Sequence, residues 1–247
     1  MRKLVITFFF LLGLLVALIW WMPVRFVLSL VEQGNMRFEA ATGTLSNGSL
    51  VVSSKEVKAV PIGWEMCSLR LTQPIGVCLD MSSGQTKLAF GVVPWKLGDE
   101  VTLYNIVIDS PLADLSKLGQ SLSALALVEG HVTTYFPRLV YNQRLQVLEE
   151  LQGSARFENT AALGLQMGDI NLEITQETPG DIINLAFEGG DINELVLLGS
   201  GSFEPKAGVF SIRTIFRSNK PSVLGQLAGF AKKTGDNSYE WVYNTTL

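Results

Sequence analysis

The sequence predicts a mainly β protein in which an N-terminal transmembrane helix is followed by a curved antiparallel β-sheet domain with two short helices. Three observations lead there. Leu4 to Met22 run without a charged residue. From residue 37 onward, short runs alternate apolar and polar side chains between glycine-containing turns, as half-buried strands do. Two stretches, beginning at Ser110 and Lys220, instead space their large apolar residues by three and four, the helical repeat. The chain is therefore divided into 1–22, a cytoplasmic start and signal anchor; 23–36, an interfacial linker; and 37–247, one β-rich domain, with a split near Val128 left open.

The N-terminal run, Leu4 to Met22, covers 19 residues, roughly 28 Å at the helical rise and close to the thickness of a bilayer core. Arg2 and Lys3 precede it and Arg25 follows, so the positive-inside tendency sets the N-terminus in the cytoplasm and the remainder across the membrane. Trp20 and Trp21 sit where aromatic rings favour the far interface, and Pro23 ends the helix. A cleaved signal peptide is the alternative; the run is longer than an ordinary signal core and lacks an A-x-A end. Val24, Phe26, Val27, Leu28 and Leu30 continue the apolar character along the interface.

In the body, "GDINLEIT" sets Ile170, Leu172 and Ile174 against Asp169, Asn171 and Glu173, and "VFSIRTIFR" sets Phe210, Ile212 and Phe216 against Ser211, Arg213 and Arg217. Such alternation gives an antiparallel sheet one wet face. Similar runs begin near Gly84, Val101, Gly130, Gly153, Asp181 and Asp191, and Tyr239–Tyr243 is the expected last strand. The first helix is expected on Leu112, Leu115, Leu118, Leu122 and Leu125, with Ser110 as N-cap and Pro111 first in the helix. The second is expected on Leu224, Leu227 and Phe230, with Lys232 and Lys233 at its C-terminal dipole and Gly235 closing it. Either helix serves a partner or covers the sheet.

"ATGTLSNGSLVV", residues 41 to 52, reads as the first hairpin: Asn47-Gly48 is the preferred pair for a two-residue type I′ turn, which would oppose Ser46 to Ser49 and Leu45 to Leu50. The only two cysteines, Cys67 and Cys78, have ten residues between them. That even spacing lets them face each other across a hairpin turning near Thr72 to Pro74, in keeping with a disulfide in an oxidising compartment; two buried thiols are the alternative.

Chemistry is not legible. There is one histidine, His131, and the acidic residues are scattered singly, which supplies neither a nucleophile with its base nor a metal cluster. P-loop, nucleophile-elbow and dinucleotide fingerprints are missing. No catalytic residue, metal or cofactor is expected. A net charge of −4 with no basic cluster argues against nucleic acid as a partner. Asn47-Gly48-Ser49 and Asn244-Thr245-Thr246 match the short glycosylation pattern.

The anchor with its "MPVRFVLSLV" exit, "ATGTLSNGSLVV", "VPIGWEMCSLRL", "YNIVIDSPLADLSKL" and the closing "FAKKTGDNSYEWVYNTTL" together resemble the type II secretion system protein N family, also called general secretion pathway protein N. The likeness extends over nearly the whole length. Where the family hairpin reads Arg-Gly-Thr-Leu-Trp, this chain has Thr42-Gly43-Thr44-Leu45-Ser46, without the Arg and Trp. The resemblance implies a non-enzymatic accessory component of a bacterial export machine, single-pass in the inner membrane with its main domain periplasmic. Other secretion components and inner-membrane lipid are the partners it implies. The alternative reading is an AsmA-like envelope protein holding lipid in an apolar groove of the sheet. An open groove lined by Ile170, Leu172, Phe187 and Phe210 would favour lipid; a face covered by the two helices would favour a scaffold.

Overall fold

The computed structural model describes residues 21–25, 28, 36–54, 59–68, 76–93, 99–115, 128–162, 164–176, 182–190, 195–205 and 207–246. The expected membrane helix, Leu4 included, lies outside them, apart from its last residues, Trp21 and Met22. Among the described residues no helix is long and apolar enough to cross a membrane. The described chain is mainly β, with fourteen strands whose described pairings are all antiparallel. It forms two compact units, Met1–Ser83 and Gly84–Leu247.

In the first unit, β1 (Met36–Gly43), β2 (Asn47–Ser54), β3 (Val60–Cys67) and β4 (Gly76–Ser83) pair in chain order. The β1–β2 turn differs from the expectation. Asn47 and Gly48 belong to β2, Gly48 pairs with Gly43, and Thr44 N donates to Asn47 O at 2.8 Å, so Leu45 and Ser46 form the tip. Packing from the next strand accounts for the shift. Gly48 is the register partner of Trp64, and a Cβ on Gly48 would lie 2.5 Å from the indole; Trp64 Nε1 donates to Thr44 O at 3.1 Å. Gly43 supplies the positive φ, 86°, that a side chain would resist. Upstream, Leu45 N donates to Met22 O at 3.1 Å, Pro23 bridges to Thr44, and Arg25 Nε donates to Ala41 O at 2.5 Å.

The disulfide Cys67–Cys78 is present, its Cα atoms 5.8 Å apart, within the span such a bond permits. The cysteines are not directly opposed as the spacing suggested. Cys67 pairs with Gly76 and Cys78 with Glu65, so the bond runs diagonally over one face, where Gly76 contributes no side chain.

In the second unit, β5 (Thr86–Val92), β6 (Glu100–Pro111), β7 (Val128–Asn142), β8 (Val147–Ala162), β9 (Leu165–Gln176), β10 (Ile183–Gly190), β11 (Leu195–Glu204) and β12 (Val209–Ser218) pair in chain order. Then β14 (Ser238–Thr246) pairs with β12, and β13 (Lys232–Gly235) pairs outside β14. The register puts Ile170, Leu172, Phe187, Leu197, Phe216 and Tyr239 on one face, in agreement with the alternation. Gly199, opposite Phe187, leaves room for its ring, which a Cβ would strike.

Both described helices pack on this apolar face. In α1 (Leu112–Leu115), Leu112, only 1% exposed, joins Val132 and Ala155, with Leu115, Phe157 and Leu172 around them. In α2 (Pro221–Leu227), Val223 and Leu227 join Leu165, Leu195, Leu197, Phe216 and Tyr239; Ile170 and Phe187 pack against that cluster. Leu195 and Leu227 are fully buried, each such side chain contributing about 1.5–3 kcal/mol by leaving water.

The helix ends differ from the sequence reading. Leu118, Leu122 and Leu125 lie outside the described residues. Ser110 is the penultimate residue of β6 rather than an N-cap: its hydroxyl meets Thr86 Oγ1 at 2.7 Å and donates to Pro111 O at 3.0 Å. Lys232 and Lys233 lie in β13, not at a helix terminus, because α2 ends at Leu227, and Gly235 closes β13. Phe230 follows α2, half-exposed, its ring edge-on to Phe216 at 5.9 Å.

Candidate functional site

The opposite face of the second unit is polar, and several of its charges are matched. Arg156 Nη2 meets Asp169 Oδ2 at 2.9 Å and Arg156 Nε meets Glu158 Oε1 at 3.3 Å. Arg213 Nε donates to Glu240 Oε1 at 2.5 Å, and His131 Nε2 contacts Asp109 Oδ1. Asp169 also accepts from Asn159 N at 3.0 Å. That backbone bond, then Arg156, hold its carboxyl below the ordinary aspartate value, while Asp169 and then Glu158 raise the Arg156 guanidinium. His131 is thus accounted for by a surface carboxylate contact. Among the described residues no group of three or more metal-capable side chains gathers.

A groove of about 710 Å³ crosses β7 to β11 on this face. Tyr135, Ser154, Asn171, Glu173, Glu188 and Leu198 line it, with Gly153 and Gly199 in its floor. The groove lies where β7 carries a bulge between Tyr135 and Arg138 and where β8 and β11 contribute glycines, devices that bend a sheet. A smaller cleft of about 310 Å³ lies beside Val196, Arg217, Ser218 and Asn237. Its polar groups satisfy one another: Ser218 N donates to Asn237 O at 3.1 Å, and Asn237 Nδ2 to Asn219 Oδ1 at 2.9 Å.

The chain matches no family model, no curated protein and no solved structure.

The residues singled out in the sequence do not converge on one site. Cys67 and Cys78 join in the first unit, Asn47 and Gly48 serve β2, and Leu4 is outside the described residues. The apolar positions that would line a lipid groove are packed instead: Leu172 lies against the Leu112 cluster, and Ile170 and Phe187 against the Leu227 cluster. Phe210 pairs with Phe203 toward the other end of β12. Sequence reasoning missed the groove because its residues come from five strands and only their register unites them. The one local signal was the polar half of "GDINLEIT", which contains Asn171 and Glu173.

The β13 edge is poorly suited to adding a strand. β13 has four residues, all exposed, two of them lysine, with an irregularity between Lys233 and Gly235, features that discourage pairing.

Proposed function

We propose that this protein is a non-enzymatic accessory component of a type II protein secretion system, held in the inner membrane by the Leu4–Met22 helix and acting through periplasmic protein contacts. The observation that carries the reading is the packing of α1 and α2 against the apolar face of the second unit. With that face covered where the helices pack, the groove left to a partner is open and lined by both polar and apolar residues, suited to surface docking of another protein rather than to enclosing acyl chains. The resemblance in the anchor, first hairpin and closing strand supplies the system.

Deleting the gene and measuring export of folded periplasmic proteins tests this. The expected outcome is reduced secretion with an intact outer-membrane barrier. Unchanged secretion with an altered barrier would overturn the reading in favour of lipid handling.

A further inference from the structure

We infer that the groove on the polar face of the second unit binds a basic, extended segment of a partner protein; the inference rests on the scaffold reading above and names the chemistry of its contact. Elsewhere on this face Arg156 and Arg213 are matched with carboxylates. In the groove the matching stops. Glu173 and Glu188 are exposed and have no ion-pair partner among the described residues, and the described groove lining holds no lysine or arginine. Glu173 pairs with Ala186, two residues from Glu188 on the neighbouring strand, so the two residues stand diagonally on one face, about 7–8 Å apart at the backbone. Like charges so placed repel, and a cation between or above them relieves the repulsion.

The geometry narrows the occupant. From β7 to β11 the groove crosses four strand spacings, about 19 Å, the length of about six extended residues. Along that path Glu173 and Glu188 are one strand spacing apart, about 4.8 Å, and they are offset by two residues, about 6.8 Å, to either side of it. Two basic side chains at adjacent positions of an extended segment point to opposite sides and therefore reach Glu173 and Glu188 together. Tyr135, half-exposed at the β7 end, offers a ring face to a cation, and Leu198 offers an apolar contact at the β11 end. Anionic lipid headgroups and nucleic acid are disfavoured by the sign of the charge.

The test uses the full chain in detergent micelles and a fluorescent peptide of about nine residues with lysines at two adjacent central positions in a threonine, valine and glutamine background. Anisotropy should report saturable binding that weakens with salt and falls about tenfold or more in the Glu173→Gln, Glu188→Gln double variant. The same peptide with its lysines replaced by glutamine should bind more weakly. Absent binding, equal binding by the double variant, or equal binding of a glutamate-substituted peptide would overturn the inference. Circular dichroism verifies that the exposed substitutions leave the sheet intact. Affinity isolation of the full chain from its own cells, probed for type II secretion components, separates the two claims. If those components accompany both wild type and double variant, the groove inference falls and the scaffold reading stands. If they accompany neither, the scaffold reading falls.

Discussion

Trp64 lies over Gly48, its register partner across β2 and β3, and its Nε1 donates to the carbonyl of Thr44 at 3.1 Å. One side chain thus ties the third strand to the first turn. Gly48→Ala sets a methyl against the indole and should lower stability by about 1–3 kcal/mol, read from urea unfolding. Trp64→Phe loses the hydrogen bond and part of the ring that lies over Gly48, and should cost at least about 0.5–1.5 kcal/mol.

The Cys67–Cys78 bond closes a short loop, and joint replacement by alanine should cost about 2–4 kcal/mol. Thiol labelling should find no reactive cysteine before reduction and two after it. Equal labelling in both samples would contradict the bond.

Removing a helix anchor should loosen the apolar face. Leu227→Ala and Leu112→Ala each empty a fully packed site and should cost about 2–5 kcal/mol, with Leu227→Ala increasing binding of an apolar dye. If α2 were a mobile partner helix instead, Leu227→Ala would leave stability unchanged.

Asp169 gives a pH prediction. Asn159 N and Arg156 favour its ionised form in the folded chain. Because the folded value is the lower one, the stabilisation is present above the unfolded value of about 3.9 and is lost as pH falls through the folded one. The Asp169 carboxyl should titrate in NMR below an ordinary aspartate, and Asp169→Asn should flatten the acid limb of the stability profile.

Much of the strand pattern was legible because alternation is local. Ile170, Leu172 and Ile174 face the core as their spacing indicates. Errors arose where a distant contact governed a local choice. Asn47-Gly48 carries a strong turn preference, yet Gly48 seats Trp64 sixteen residues later, so the turn moves to Leu45-Ser46. Ser110-Pro111 resembles a helix start, but the Ser110 hydroxyl is engaged by Thr86 from β5. Of the groove only Asn171 and Glu173 left a local signal: Tyr135 and Leu198 are remote in the chain, and the bulge in β7 that helps set their register leaves no local mark.

The order of strands bears on how the protein is made. From β6 to β12 each strand pairs with the one just before it, so a chain emerging N-terminus first can add each strand to an existing template, with short loop closures at every step. The last segment breaks this rule. β13 pairs with β14 and not with β12, so it has no template until β14 arrives. Until then β12 offers an open edge, and α2 waits for Tyr239 to complete its seat. Truncation before Ser238 should therefore leave an assembled but unfinished sheet, prone to join its neighbours through β12.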